Sequence, residues 1–151
     1  NTGDNLGHTQ GLRGLRRAFQ PLSGIPGFFV HGSNDHTAPT PRNPIRYFTG
    51  PSTHVAAAEP LDTDALDRYL GDELGWLDLN NTVGSVDVAG RRIDAFGVSD
   101  AHRDWDRLDA LPAPLAALRA GGSAEITLAV THAPYRRVLE SWATHSPRDP
   151  A

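Results

Sequence analysis

The chain contains no cysteine and no methionine, and its 14 basic residues are all Arg. Without Cys there is no disulfide framework, no thiolate metal site and no Cys nucleophile, and without Lys there is no Walker-type phosphate loop. Any metal must therefore sit on oxygen and nitrogen ligands. Long apolar runs are missing too: nothing approaches the roughly 20 residues that span a bilayer, and no signal-peptide pattern is visible. The sequence reads as cytoplasmic. Arg is interspersed with Asp and Glu at a formal net charge of −4, so no basic stripe exists to track a phosphate backbone. Neither nucleic-acid nor membrane binding is expected.

What is present suffices for one globular core, at 151 residues and 38% hydrophobic. Leu12, Leu15, Phe19 and Leu22 recur near a 3.6 spacing and predict a helix over 9–20, closed by Pro21 and Gly24. A short buried strand over 25–31 then leads into Gly32. Segment 33–52 holds Pro39, Pro41, Pro44 and Pro51 with neither helix nor strand period, which predicts a long loop of the kind that is often functional. A helix over 61–74 would be capped by Asp62 and would present Leu66, Tyr69, Leu70 and Leu74 on one face. A strand begins at 76–79, and a hairpin turns at Ala89-Gly90 between 83–88 and 92–98. Helix 112–119, strand 125–130 and helix 135–142 follow, with a polar, Pro-rich tail over 146–151.

Three short polar motifs stand where strands should end. Thr2-Gly3-Asp4-Asn5 opens the chain, Gly32-Ser33-Asn34-Asp35 follows Gly27-Phe28-Phe29-Val30, and Thr131-His132-Ala133-Pro134 follows the apolar run 126–130. In an α/β sheet, side chains leaving the carboxyl ends of strands converge on one crevice. A carboxylate such as Asp4 can bridge two divalent cations, the His132 imidazole supplies a neutral nitrogen, and the Asn34 amide oxygen a hard neutral ligand. Two cations roughly 3.5–4 Å apart can acidify a water and hold phosphoryl oxygens through an in-line displacement. Plainer readings compete, because Gly-Asp and Ser-Asn-Asp are ordinary turn sequences and a His before Ala-Pro can simply hydrogen-bond a loop.

These motifs, together with Pro39-Thr40-Pro41-Arg42-Asn43-Pro44, Gly97-Val98-Ser99-Asp100-Ala101-His102 and Tyr135-Arg136-Arg137-Val138-Leu139, resemble the calcineurin-like metallophosphoesterase superfamily, and more closely its actinobacterial members. The resembling segments are spread over most of the chain in the family's order. The resemblance implies an α/β fold, a mixed β-sandwich flanked by helices in four layers (α/β/β/α). It implies two divalent metal ions, Mn²⁺, Fe²⁺/Fe³⁺ or Zn²⁺, and a phosphomonoester or phosphodiester as the small-molecule substrate. By motif, Asp4 stands for the carboxylate that bridges the metals and His132 for an imidazole of the second metal.

The Gly32-Ser33-Asn34-Asp35 motif departs from the family's Gly-Asn-His-Asp/Glu. Without a gap, Ser33 takes the place of the ligand Asn and Asn34 that of the catalytic His; a one-residue shift makes Asn34 the ligand, the reading preferred because an amide oxygen suits a hard cation better. His36 or His102 would then replace the missing general acid. Asp100 and His102 leave a strand together, either to meet substrate or the second metal or to cap the next helix. Arg42 and Arg46 could clamp a phosphate in bidentate fashion. The family's opening Asp-x-His and closing Gly-His-x-His do not occur here, which predicts that residues 1–145 are a partial domain, incomplete at both ends. Against the enzyme stands a non-catalytic binding or structural module on the same fold. A Ser-His-Asp hydrolase is disfavoured, since no Gly-x-Ser-x-Gly elbow occurs. For architecture, the strands ending near His31, Val98 and Val130 are expected in one sheet layer, with a doubly wound α/β sheet as the alternative.

Overall fold

A computed structural model describes residues 1–39 and 58–145 as a mixed α/β arrangement of helices around two small sheets. Helix α1 (Gly11–Phe19) continues into a 3-10 turn (Gln20–Leu22). Pro21 does not end the run, because it sits in the first turn of that 3-10 segment, where its missing N–H is not needed. Strand β1 (Phe28–Phe29) is shorter than expected. Pro26 offers no donor on its approach, and beyond Phe29 the backbone finds other partners: Val30 N donates to the Asn1 carbonyl (3.2 Å) and His31 N to Asn80 Oδ1 (3.0 Å).

Helix α2 (Thr63–Asp67) starts as its sequence indicates, with Asp62 accepting from Ala65 N at 2.9 Å. It then widens into a π-helical segment (Arg68–Glu73), in which Leu74 N reaches the Tyr69 carbonyl (3.0 Å). Leu66, Tyr69, Leu70 and Leu74 are all buried. Each fully buried Leu contributes about 2 kcal/mol of transfer free energy. Strand β2 (Leu77–Asp78) pairs parallel with β1. Strands β3 (Thr82–Val88) and β4 (Arg91–Val98) form the expected antiparallel hairpin, turning at Ala89 (φ 53°) and Gly90 (φ 78°). Both central residues lie in the left-handed region, as a two-residue hairpin turn of matching twist requires. From β4 the chain crosses through α3 (Pro112–Ala120) to β5 (Ile126–Thr131), which runs parallel to β4, and α4 (Arg136–His145) follows.

One expectation is corrected. The strands ending near His31, Val98 and Val130 do not share a layer: β1 belongs with β2, and β3, β4 and β5 form the other sheet in that order. The reason is that the β1 segment is engaged on both sides: the Gly27 and Phe29 carbonyls accept from Leu77 N and Leu79 N, and the Phe28 carbonyl accepts from the Asn1 amino group. The antiparallel hairpin also sets the fold apart from a doubly wound parallel sheet. The alternation of each strand distributes its side chains between cores. Phe29 packs with Leu66, Leu70 and Trp76, whereas its neighbour Val30 packs with Leu79 and Ala95. Phe96 and Val98 join Leu115, Val138 and Trp142 from α3 and α4. At Gly97 a Cβ would lie 2.7 Å from the Leu79 carbonyl oxygen, so that position needs glycine for the close approach. No described helix is long and apolar enough to cross a membrane.

Candidate functional site

The first motif is shaped by a residue from the second. Asp35 is fully buried, and its carboxylate accepts backbone N–H groups from Asp4 (2.8 Å), Asn5, Leu6 (3.0 Å) and Gly32 (3.1 Å). Such an array of convergent N–H groups satisfies a buried anion without a cation. It bends the loop so that Asp4 takes φ 59°, in the left-handed region that Asp tolerates better than most residues. Gly3 (φ +88°) makes the loop contact possible, since a Cβ there would meet Gly32 N at 2.2 Å.

Asp4, Asn34 and His132 meet at this bend. Asp4 Oδ1 accepts Asn34 N (3.0 Å), Oδ2 accepts Asn34 Nδ2 (2.7 Å), and His132 Nε2 lies 3.6 Å from Oδ2. On the other side of the imidazole, Nδ1 lies 2.6 Å from the Thr2 carbonyl oxygen. A carbonyl only accepts, so Nδ1 carries the proton and, in the neutral ring, Nε2 turns a lone pair toward Asp4. Gly32 closes the cradle: a Cβ there would stand 2.1 Å from Asp4 Oδ1 and 2.7 Å from His132 Cε1. Both side chains keep contact with solvent.

The donor set suits a hard or borderline cation. Two ligand atoms on a tetrahedral cation with bonds near 2.1 Å stand roughly 3.4 Å apart, close to the 3.6 Å between Asp4 Oδ2 and His132 Nε2. A half-turn of the Asn34 amide would exchange Nδ2 for Oδ1 at the same place. The shell is partial: among the described residues no three His, Cys, Asp or Glu side chains are grouped to hold a metal.

The other expected residues are placed differently. Ser33 contributes backbone, its N–H going to Asp100 Oδ2 (3.0 Å) and its carbonyl accepting from His36 and Thr37. Asp100 is buried and spends its second oxygen on His102 N (2.8 Å), capping the 3-10 turn Ala101–Arg103. Of its two expected roles the structure displays the capping one, and it ties the second motif to the turn after β4. His102 is exposed, with Nδ1 2.8 Å from the Tyr135 hydroxyl, and so meets Tyr135 and not Asp4. Arg42, Arg46 and the tail 146–151 lie outside the described residues.

His36 stands beside a cavity of about 490 Å³. One wall is α2 and its cap (Asp62, Asp64, Asp67), the other the ends of β2 and β4 (Asp78, Asn80, Ser99), and His31 lines it as well. Burial, together with the neighbouring His31, holds the His36 pKa below its ordinary value. For His31 burial also presses downward, but Asp67, Asp35 and Asp78 outweigh it and the net shift is upward. The sequence reading passed over His31 and Asp67, each of which lies in a run taken for plain strand or helix. Asp35 was visible as the last residue of a motif, but nothing in the chain order showed that it faces the loop at Asp4. No protein-family model matches the chain, and neither a curated protein nor a solved structure matches it.

Proposed function

We propose that the protein is a metal-dependent phosphoesterase of the calcineurin-like kind, acting on a phosphomonoester or phosphodiester through a dinuclear centre of Mn²⁺, iron or Zn²⁺. The observation that carries this reading is the meeting of Asp4, Asn34 and His132, from three separate segments, around one carboxylate. Val30 and Leu79, which follow β1 and β2, pack with Ala95 of β4, while helical residues pack with Phe29 and with Phe96; this supports the layered α/β/β/α reading.

When bound, the cations would supply the positive charge that neutralises a phosphoryl group and acidifies a water. Asp4 would hold the cations at a set separation, His132 Nε2 and the Asn34 amide would complete part of their shells, and the Thr2 carbonyl keeps His132 in the required tautomer. Asp35 fixes the backbone beneath Asp4. A leaving group needs a proton, for which His36 or His102 would have to serve.

The test is turnover of bis-p-nitrophenyl phosphate with Mn²⁺ by the full-length protein, alongside metal analysis. Asp4→Asn should lower activity about 100-fold or more and metal content with it, because an amide neither neutralises nor bridges two cations. His132→Ala should deplete mainly one of the two metals. Wild-type turnover and metal content in Asp4→Asn would overturn the dinuclear reading. A non-catalytic module on the same fold is favoured by one observation, the partial shell among the described residues; a full-length protein that takes up no metal would establish it instead.

A further inference from the structure

We propose that Tyr135 is a positioning residue whose hydroxyl oxygen holds the Nδ1–H of His102, so that His102 Nε2 is the atom that passes a proton to the leaving oxygen of an alkyl phosphoester. The proton-donor role rests on the phosphoesterase reading. The Tyr135–His102 bond, and the ring tautomer that it selects, do not.

The pair is assembled from distant segments, His102 from the 3-10 turn after β4 and Tyr135 from the stretch between β5 and α4. The Tyr135 oxygen stands 2.8 Å from His102 Nδ1, with the ring centroids 6.2 Å apart. His102 is exposed, and among the described residues its Nε2 makes no hydrogen bond. Both halves are anchored. Asp100 Oδ1 accepts His102 N (2.8 Å), and the carbonyl of the preceding Ala101 accepts from Arg137 Nη2 (2.8 Å). The same guanidinium donates to Asp104 (2.8 Å) and Asp106 (2.6 Å) and lies 5.2 Å from the centroid of the Tyr135 ring. One cation thereby ties the turn that bears His102 to the start of α4 and backs the ring that meets it.

Two links place the pair at the rim of the Asp4 bend. Asp100 Oδ2 accepts Ser33 N (3.0 Å), so a single carboxylate joins His102 to the neighbour of Asn34. Tyr135 follows His132 in one short segment, folded back by a bond from Tyr135 N to the Ala133 carbonyl (2.9 Å). His36 is placed otherwise. It lines the cavity walled by Asp62, Asp64, Asp67 and Asp78, whose negative field repels an anionic ester.

The proton's route follows from the donor inventory. In the imidazolium both ring nitrogens carry hydrogen, so Nδ1–H donates and the Tyr135 oxygen accepts. As the P–O bond to the leaving group breaks, its electron pair stays on the leaving oxygen, which takes the proton as the Nε2–H bond breaks. The neutral ring left behind keeps its hydrogen on Nδ1, still donating to Tyr135. An alkoxide leaves poorly without a proton and a nitrophenolate leaves readily, so this arrangement suits esters of aliphatic alcohols.

The test uses the full-length protein and two readouts. Nitrogen NMR of the neutral His102 ring reads the tautomer without any turnover: the hydrogen should sit on Nδ1 in the wild type and shift to Nε2, the form a free side chain prefers, in Tyr135→Phe. This variant keeps the ring over Arg137 and removes only the oxygen. Turnover with Mn²⁺ is then compared on ethyl and p-nitrophenyl esters of phosphate, as monoesters and as diesters. In Tyr135→Phe the ratio of ethyl to p-nitrophenyl kcat should fall at least about tenfold, and in His102→Gln about 100-fold, with KM little changed. An unchanged tautomer in Tyr135→Phe overturns the proposal. So does an equal loss on both kinds of ester, which would mean a structural role. A wild type that turns over no phosphoester overturns the phosphoesterase reading and the proton-donor role with it, while the tautomer measurement still decides the Tyr135–His102 bond.

Discussion

At the bend around Asp4 a carboxylate is surrounded by groups that want it: two N–H donors of Asn34 and the ring of His132. Across the β1 end, Asp62, Asp64, Asp67 and Asp78 face an open volume with a single buried imidazole for company. Deeper still, Asp35 and Asp100 are fully occupied by backbone N–H groups. The same side chain thus serves three ends, and what distinguishes them is the partner. Backbone donors make a carboxylate a fastener. Side-chain donors with solvent access make it a candidate site, and open volume leaves its charge facing solvent.

The sharpest way to break this comparison is at a fastener. Asp35→Ala removes the acceptor of four buried or half-buried backbone N–H groups and of the Asn5 side-chain amide, and should cost about 3–5 kcal/mol in urea unfolding. It should also abolish metal uptake, since the loop that carries Asp4 loses its anchor. A cost under about 1 kcal/mol would mean that the loop holds its shape without Asp35. Next in size is Gly32→Ala. Its Cβ would occupy the space of Asp4 Oδ1, 2.1 Å away, and the backbone on both sides is hydrogen-bonded, so relief must come from Asp4 and His132. A stability loss of about 1–3 kcal/mol is expected, with weaker metal binding by calorimetry. Unaltered metal binding would show that Asp4 and His132 have room to move apart and still work.

A smaller effect separates His31–Asp67 from the fasteners through its pH dependence. The folded His31 pKa lies above its ordinary 6.5, so the pair's stabilisation is complete below that value and is lost as pH rises through the folded pKa. His36 has the opposite sign: its folded pKa lies below 6.5, so its contribution is present above 6.5 and is lost as pH falls through the folded value. Asp67→Asn should remove the first effect and leave the second in place, somewhat enlarged, because the Asp67 charge also pushes the His36 pKa upward. With Asp67 half exposed, the loss should be about 1 kcal/mol or less, larger near pH 5.5 than near pH 8 in metal-free protein. Thermal unfolding at the two pH values would show it, and a deficit that grew toward pH 8 would contradict the assigned direction.

Elements set by local chemistry were legible in the sequence. The Asp62 cap, the Ala89-Gly90 turn and the apolar face of Leu66, Leu70 and Leu74 need only neighbours within a few residues. The grouping of Asp4, Asn34 and His132 was expected from their motifs, although not from any one of them. Illegible were features made by distant pairs. The separation of β1 from the β4 sheet depends on Leu77 and Leu79 reaching its backbone, and the placement of Asp35 under Asp4 on two loops meeting at Gly3 and Gly32. The cavity is the extreme case, because its acidic walls come from a helix start and two strand ends with nothing in their spacing to link them.

The smallest predicted effect is the one that most sharpens the contrast. If the cavity carboxylates face solvent and do not hold the fold, neutralising them should leave stability nearly untouched. Asp78→Asn keeps an oxygen that can accept Asn80 N as Asp78 does now. Asp64→Asn gives up a favourable charge in the first turn of α2, worth about 0.3–1 kcal/mol. It also relieves repulsion from Asp62 and Asp67, which acts in the opposite direction with a similar size. The double variant should therefore unfold within about 0.5 kcal/mol of the wild type, or slightly above it. A loss of several kcal/mol in urea would instead make these residues fasteners like Asp35, and the division between the two sides of the sheet rim would fall.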